Sequence, residues 1–442
     1  MLNLSALTPA VPFLTPGPVS FGFVAACDNG LLEVTGLSLP IGSLCRIEQD
    51  HGQDMAAEVI GFRNGRTLMM MLGDSALLCP GSRVYPEGRP GMVPVGEAFL
   101  GRAVDGEGLP IDGGPPIRTR EYWPSGGRRS GALERSPVMQ PFDCGVRAIN
   151  ALATMGQGQR IGIMAGSGVG KSVLIDMIAH GADADIVIFA LIGERAREVS
   201  GFVQRHMGGD KRQRSITVAV PADHAPNLRL RAAQLAVCQA EYFRAQGKSV
   251  LLIMDSLTRV AHAAREIGLL LGEPGSARGY PPSALAAINR LVERAGNSAA
   301  SGGSVTGIYT VLADGDDEND PVIDTARAIL DGHIVLSRAI AQRGQYPAID
   351  VGASLSRVMS DVASRDHRAD ATVLRALCAS YEANRDLVLM GAYRAGADAQ
   401  IDRAMAMQGA IRDFLAQAVD DRCTLDDSVA GLHVLLAAPS AP

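Results

Sequence analysis

The stretch RIGIMAGSGVGKS, residues Arg160–Ser172, decides the fold of this 442-residue chain. An apolar strand candidate, Ile161–Met164, runs into a glycine-rich turn that ends in Lys171 and Ser172, and an apolar-periodic helix candidate, Val173–Ile178, follows at once. This order is typical of a phosphate-binding loop, because a helix N-terminus directs free N–H groups and a positive dipole end at an anion. An ordinary strand-to-helix turn is the simpler alternative, and the Lys-Ser pair counts against it.

Each residue type in the turn has a chemical reason to be there. Its three glycines let successive backbone N–H groups wrap phosphate oxygens without a Cβ clash. The lysine can reach the outer phosphates, and the serine hydroxyl can ligate Mg²⁺. One position departs from the usual pattern, because Ala165 stands where the first glycine is expected. The predicted nucleotide-binding residues of the loop are Gly166, Ser167, Gly168, Val169, Gly170, Lys171, Ser172 and Val173.

Composition indicates a globular chain with room for two or three domains, since 47% of the residues are hydrophobic and 20% are charged. The formal net charge of −6 gives no bulk attraction to nucleic acid, so we expect no nucleic-acid partner. The seven cysteines are scattered, odd in number and without a C-x-x-C pair. This pattern argues against a disulfide framework or a zinc site and favours a reducing compartment.

The apolar N-terminal segment does not predict a signal peptide. Its first basic residue is Arg46, and Pro9, Pro12, Pro16 and Pro18 interrupt the apolar stretch. We also expect no membrane span, because no uncharged apolar run is long enough to cross a bilayer.

The apolar periodicity divides the chain into three predicted domains. Short alternating strand candidates between Val19 and Val84 indicate a small β-barrel, residues 1–90. After a loop-heavy connection, Tyr85–Pro141, continuous β-branched strand candidates alternate with helices, which predicts a mainly parallel sheet within residues 91–360. Helical periodicity dominates residues 361–442. The predicted fold class is therefore α/β, with an N-terminal β-barrel, a central phosphate-loop domain and a C-terminal helical domain.

Two carboxylates follow predicted strands of the central domain. Asp255 ends an apolar strand, where a carboxylate is costly unless it is satisfied, and Mg²⁺ beside Ser172 is its natural partner. A cap of the following helix is the alternative. Glu194 follows the strand candidate Ile186–Ile192, at an edge where open α/β sheets bind ligands, and could polarise an attacking water. From the residue types alone, an acidic helix start is the favoured interpretation of Glu194.

Further motifs recur in a fixed order: GERAREV from Gly193, LLIMDSLTR ending at Arg259, ILDGHIVLSR from Ile329, and PAIDVGASLS, Pro347–Ser356. This series resembles the catalytic subunit family of rotary ATP synthases and type III secretion ATPases, over nearly the whole chain. Within that family, CGVRAINAL, DGDDENDPVID and NRDLVLMGAY are most similar to the flagellum-specific export branch. The resemblance implies that the central domain is RecA-like and that the ligands are ATP and Mg²⁺.

The resemblance also implies a role for each matching residue. Lys171 would contact phosphates, Glu194 would position the hydrolytic water, and Arg195 and Arg259 would lie near the γ-phosphate. Arg357 would be an arginine finger that reaches the neighbouring subunit's site, with a plain surface arginine as the alternative. Tyr346 would stack on adenine, with core packing as the alternative. The implied Mg²⁺ ligands are Ser172 and Asp255.

A homohexameric ring, cytoplasmic and peripheral to the inner membrane at the export apparatus, follows from the same resemblance. The implied partners are a peripheral stator-like regulator, a central coiled-coil stalk, a membrane export gate, export substrates and their chaperones. The loop Gly272–Pro282, with Arg278 and Tyr280, would face the central pore. The alternatives are an injectisome ATPase, an ATP synthase catalytic subunit, and a hexameric RNA translocase. The barrel lacks the basic, aromatic-bearing stripe that an RNA translocase would need.

Overall fold

The computed structural model describes residues 20–28, 30–49, 54–73, 78–128, 131–166, 168–206, 210–312 and 320–437. The chain divides into two compact units, Met1–Gly91 and Met92–Pro442. Within the described ranges, no helix combines the length and the apolar character that crossing a membrane requires.

The first unit is a closed antiparallel barrel of six strands, which confirms the predicted β-barrel. The strands are β1 Gly22–Asp28, β2 Leu31–Thr35, β3 Leu44–Ile47, β4 Met55–Arg63, β5 Arg66–Met71 and β6 Arg83–Glu87. They pair in the order β1-β2-β5-β4-β3-β6, and β6 closes onto β1. Side chains such as Val34, Ile47 and Met69 point inward, and these three are fully buried.

The second unit contains a nine-stranded sheet, which confirms the predicted mainly parallel sheet. It is composed of β8 Ala103–Val104, β12 Arg160–Ala165, β13 Ile186–Ile192, β14 Ser215–Val220, β15 Ser249–Asp255, β16 Gly296–Asn297, β17 Ser304–Leu312, β18 Gly332–Leu336 and β19 Ile349–Ser356. The order is β19-β18-β12-β17-β15-β13-β14-β8, and β16 pairs with β17. Only β16 and β19 run antiparallel to their partners. The central strands are buried on both faces, which explains their continuous apolar sequences.

The region expected to be loop-heavy contains more pairing than its sequence indicates. β8 extends the main sheet by pairing with β14, and two small hairpin-like pairs lie outside that sheet. These pairs are formed by β7 Met92–Val95 with β9 Glu121–Pro124, and by β10 Pro141–Phe142 with β11 Met155–Gly156. Strands this short have too few residues to show a periodicity, so the sequence does not reveal them.

Helices cover the sheet and form the C-terminal domain. They are α1 Arg147–Leu152, α2 Lys171–Gly181, α3 Ala196–His206, α4 Pro226–Ala245, α5 Leu257–Leu270, α6 Pro282–Val292, α7 Pro321–Ile329, α8 Arg338–Gln342, α9 Met359–Val362, α10 Arg365–Leu389, α11 Ala399–Leu415 and α12 Leu425–Ala437. The last three pack on α1, and Leu374, Ile411 and Leu432 join the core of the sheet domain. The predicted C-terminal helices are thereby confirmed, and they share a core with the sheet within the second unit.

The strand order brings the predicted functional segments together. β12, β17, β15 and β13 are consecutive parallel neighbours, so their carboxyl ends lie at one edge of the sheet. The glycine-rich loop follows β12, Glu194 follows β13, and Asp255 ends β15. This edge is where open α/β sheets bind ligands.

Candidate nucleotide-binding site

The glycine-rich loop passes directly into α2. Gly168 has φ 78° and Gly170 has φ 96°, and glycine adopts this left-handed backbone conformation with little steric strain. Gly170 precedes the first residue of α2, and no side chain caps the helix there in the described part of the loop. The first N–H groups of α2 are therefore placed to receive an anion such as phosphate. Ser167 lies outside the described residues.

Lys171 lies between two carboxylates at the start of α2. Its Nζ donates to Asp255 Oδ1 and, at 3.3 Å, to Glu194 Oε1. All three side chains are at most 15% exposed. Thr310, on β17, donates its hydroxyl to Asp255 Oδ1 at 2.6 Å. Thr310 could not be recognised from the sequence, because only the register of β15 and β17 brings it to Asp255. The one signal available was a polar residue near the carboxyl end of a buried strand.

Burial raises the pKa of Glu194 above its ordinary value of 4.5. The nearby Asp255 carboxylate raises that pKa further, while Lys171 opposes both effects. One ammonium thus serves two carboxylates, and without a second cation or a bound ligand the excess negative charge favours the protonated form of Glu194.

We expect Glu194→Gln to stabilise the nucleotide-free chain at about pH 8 and to lose this advantage toward about pH 5. Because folding raises the pKa of Glu194, stability falls as pH rises from 4.5 through the raised value, and it stays lowered above it. Glutamine does not ionise, so the Glu194→Gln chain does not lose stability in this way. The measurement is the thermal unfolding midpoint of both chains across this range, with Glu121→Gln, on the exposed face of β9, as the control. An advantage that is absent at the higher pH, or that grows toward acid, would contradict the argument.

A cleft of about 380 Å³ adjoins this cluster. Ser172, Glu194 and Asp255 line one side, and α3 lines the other. The remaining lining residues are Ile175, Leu191, Arg197, Glu198, Val199, Gly201, Phe202 and Arg205. The sequence did not indicate that one face of α3 lines the cleft. The amphipathic pattern of the residues directly after GER was the available signal.

The cleft offers a magnesium site of the expected chemistry. The Ser172 hydroxyl and the Asp255 carboxylate line the same space and are hard oxygen donors. Mg²⁺ usually binds through one or two such protein groups, and substrate phosphates and waters complete its coordination. Accordingly, the described residues contain no group of three or more His, Cys, Asp or Glu that could hold a metal ion by themselves.

Arg195 and Arg259, the two arginines expected near the γ-phosphate, are not among the described residues that line the cleft. The Arg195 side chain is 71% exposed and forms an ion pair with Glu198, with 3.7 Å between Nη1 and Oε1. Arg259, in the first turn of α5, packs against the backbone of Gly193, where a Cβ would come within 2.8 Å of it. Arg259 therefore contacts Gly193, the residue before Glu194.

Tyr346 lies beside the phosphate loop. Its ring is near enough to Gly170 that a Cβ there would be 3.7 Å from it. The side chain is 49% exposed, which argues against the alternative of core packing. Its peptide bond to Pro347 is cis.

Arg357 follows β19 and is exposed. Its Nη2 donates to the main-chain carbonyl of Arg327 at 3.1 Å. The described lining of the cleft does not include Arg357.

A phosphate loop, a lysine paired with two carboxylates, and the position of all three at the carboxyl edge of a mainly parallel sheet define a nucleotide-hydrolysing enzyme of the phosphate-loop class. Comparison with known families makes this more specific. The nucleotide-binding domain of the ATP synthase alpha/beta family matches residues 145–356. The C-terminal domain of the type III secretion ATPase EscN matches residues 363–434.

Similar proteins match over nearly their full length. A flagellum-specific ATP synthase of Pseudomonas aeruginosa is 46% identical over 99% of this chain and 98% of its own. The protein of the same name from Salmonella typhimurium is 46% identical over 96% of this chain and 95% of its own. A type 3 secretion system ATPase of Xanthomonas euvesicatoria is 44% identical over 92% of both chains.

Solved structures give the same result. The assembled ATPase EscN from the type III secretion system of enteropathogenic E. coli is 38% identical, with a TM-score of 0.87 over 94% of this chain and 100% of its own. EscN in complex with its central stalk EscO gives 0.85 at 37% identity, over 94% of this chain and 100% of its own. The chain therefore belongs to the ATP synthase alpha/beta family, in the group of flagellum-specific and type III secretion ATPases, and it is an ATP-hydrolysing enzyme. The resemblance seen in the sequence and the predicted fold class are confirmed.

Proposed function

We propose that this chain hydrolyses Mg-ATP as a homohexameric ring and that hydrolysis drives flagellar type III protein export at the cytoplasmic side of the inner membrane. The observation that carries the proposed chemistry is the position of Lys171 between Glu194 and Asp255, at the end of a phosphate loop. The export role is supported by the flagellum-specific relatives, which align over nearly the whole chain.

The cluster can change partners when nucleotide binds. Phosphate oxygens would take Lys171 from its carboxylates, while Ser172 and Asp255 would hold Mg²⁺, which neutralises charge on the phosphates. Glu194, released from the lysine, would then orient the attacking water through its carboxylate. Positioning of the water suffices for this role, because phosphoryl transfer requires little covalent chemistry from the protein. Tyr346 would stack on the adenine beside Gly170.

Arg357 is the reason to propose a ring. The residue is exposed on the same chain that carries the phosphate loop, and it lies outside the described lining of that chain's own cleft. Identical subunits could therefore complete each other's sites, each giving an arginine to its neighbour. Arg195 and Arg259 remain proposed γ-phosphate contacts, and they would need to move toward the nucleotide in the assembled ring.

The test of the ring is how turnover depends on protein concentration. We expect ATP turnover per wild-type chain to rise with concentration, in parallel with the mass measured by light scattering, because a monomer has no finger in its own site. Turnover per chain that stays constant while the mass changes from monomer to ring would contradict the arrangement.

The export partners extend the proposal beyond the ring. A related ATPase is solved with its central stalk, and we propose that this chain likewise contacts a coiled-coil stalk, a stator-like regulator, an export gate, substrates and chaperones. For the loop Gly272–Pro282, the expectation that Tyr280 faces a pore is wrong. The Tyr280 ring is 2% exposed and lies 5.0 Å from the guanidinium of Arg265. Arg278 is exposed, so the proposed contact falls to it.

We expect Arg278→Ala to impair flagellar export while the purified ring keeps its ATPase activity, because the exposed side chain lies outside the described lining of the catalytic cleft. Secretion of hook-type substrates and phosphate release would be measured in parallel. Lys248→Ala, which removes an exposed positive charge before β15, is the matched control. Normal export by a stable Arg278→Ala protein would remove the loop from the coupling.

An injectisome role is the second candidate, since a type 3 secretion system ATPase is 44% identical over 92% of the chain. Loss of flagellar hooks and filaments on deletion of the gene, with effector secretion retained, would support the flagellar assignment. The reverse outcome would support the injectisome.

A further inference from the structure

A network of hydrogen bonds surrounds the base of Arg357, at the end of β19. The main-chain N–H of Arg357 donates to the carbonyl of Asp331 at 2.9 Å. The same carbonyl accepts from Nε2 of Gln159 at 3.0 Å, and this amide group also donates to the Ser356 hydroxyl at 3.1 Å. The Ser356 hydroxyl in turn donates to the carbonyl of Thr154 at 2.8 Å. One amide therefore fixes both the backbone at Arg357 and the residue before it.

Gln159 is well suited to hold this arrangement. It is fully buried, and the oxygen of its amide accepts from the main-chain N–H of Gly156 at 2.9 Å. The oxygen and the nitrogen of the amide are therefore both hydrogen-bonded. A buried polar group with its bonds satisfied holds its partners in one geometry, because any displacement would leave a buried donor or acceptor unpaired.

Asp331 is locked in turn by Arg160. The guanidinium donates from Nε to Oδ2 and from Nη2 to Oδ1, each at 3.0 Å, and the main-chain N–H of Arg160 donates to Oδ2 at 3.0 Å. The main-chain N–H of Asp331 donates back to the Arg160 carbonyl at 2.8 Å. Bidentate pairs of this kind fix orientation as well as distance. Arg160 also contacts Glu293, whose side chain is 51% exposed.

We propose that Gln159, Arg160 and Asp331 are positioning residues for Arg357, which hold the base of the finger where it can reach the neighbouring subunit's nucleotide. This inference rests on the finger role in the proposed function. The network fixes the backbone and leaves the exposed guanidinium, held by the Arg327 carbonyl, able to exchange that contact for phosphate. Arg160 is also the first residue of β12, which leads into the phosphate loop. Each chain's finger is therefore tied to the strand that carries its own nucleotide site.

The main test is Asp331→Asn. An asparagine cannot accept both guanidinium bonds, so the Asp331 carbonyl that holds Arg357 loses part of its support and can shift, although its main-chain bonds remain. We expect turnover of the assembled ring to fall about 10²-fold, the loss that a displacement of about 1 Å can produce. Binding of labelled ATP to the isolated chain and ring mass by light scattering should stay at wild-type values, because the network lies at the start of β12 and the phosphate loop at its end.

Mixed rings assign the defect to the finger. Asp331→Asn mixed with Lys171→Ala should recover activity above the sum of the two alone, because an intact phosphate loop of the first then meets a well-placed finger of the second. Asp331→Asn mixed with Arg357→Ala should recover nothing, because both lack a working finger. Recovery with Arg357→Ala but not with Lys171→Ala would place the defect in the chain's own site and overturn the proposal.

The experiment has two controls, Glu293→Gln and the mixture of Arg357→Ala with Lys171→Ala. Glu293→Gln removes the other carboxylate of Arg160 and should stay within about twofold of wild type, since half-exposed ion pairs contribute little. An equal loss there, or wild-type turnover in Asp331→Asn, would overturn the proposal. If Asp331→Asn does not fold, Gln159→Leu replaces it in the same mixtures. The pair Arg357→Ala with Lys171→Ala is the reference. If that pair forms mixed rings without recovery, and wild-type turnover does not depend on protein concentration, the proposed trans finger itself is wrong.

Discussion

Lys171→Ala and Glu194→Gln will both abolish ATP hydrolysis, and only Lys171→Ala will weaken nucleotide binding. In the proposed mechanism Lys171 contacts the phosphates, so its loss should affect ground state and transition state alike. In the same mechanism Glu194 is proposed to act on the attacking water, so its loss should affect chiefly the transition state, and we expect at least about 10²-fold slower turnover at nearly unchanged affinity. Labelled-ATP binding and phosphate release measure the two effects separately.

The structure sharpens this comparison. Lys171 has two carboxylate partners, so Glu194→Gln leaves it paired with Asp255 and leaves the phosphate loop intact. Lys171→Ala, by contrast, leaves the buried Asp255 carboxylate and the partly buried Glu194 carboxylate without their ammonium. Lys248→Ala and Glu121→Gln, both at exposed positions, are the controls for each type of change. Normal turnover in Glu194→Gln would remove this residue from the mechanism, and unchanged affinity in Lys171→Ala would remove the lysine from the ground-state contacts.

The sequence predicts most of the fold because buried parallel strands have a distinctive sequence. β13 and β15 are buried along their length, so they read as unbroken apolar runs between helices. Barrel strands such as β3 alternate between more exposed and buried side chains, as half-buried strands do. β8 escaped prediction because its partner, β14, lies far along the chain and only two residues of β8 pair. Such pairing depends on tertiary structure and has no local pattern.

The candidate site was predictable where the chemistry is local and hidden where it depends on register. The phosphate loop is continuous in sequence, and Asp255 stands out as a carboxylate at the end of an apolar strand. The residue types alone favour a helix start for Glu194, and only the family resemblance implies a role for it. Thr310 reaches Asp255 only because β17 lies between β12 and β15. Tyr280 shows the opposite error, since the family resemblance implies a loop that faces a pore, whereas this ring packs inward.

Arg357→Ala will lower the turnover of assembled rings about 10³- to 10⁵-fold, the range that an arginine finger contributes to the rate where it has been measured. The loss should leave ring assembly and nucleotide affinity unchanged, because the main-chain bond between Arg357 and Asp331 needs no side chain and the guanidinium contacts a carbonyl within its own chain. It should also remove most of the rise in turnover with protein concentration, since the assembled state would gain no catalytic group. Turnover and light scattering across a dilution series measure both effects.

Mixing shows in which site the arginine acts. Arg357→Ala chains have an intact phosphate loop, and Lys171→Ala chains have an intact finger, so each lacks what the other supplies. If the finger acts in trans, mixed rings contain interfaces where both parts are intact, and partial activity returns although each variant alone is inactive. If it acts within its own chain, no arrangement of subunits creates an intact site, and no activity returns. Crosslinking confirms that the rings are mixed. Silent mixed rings, together with wild-type turnover that does not depend on concentration, would therefore place Arg357 outside the neighbour's site.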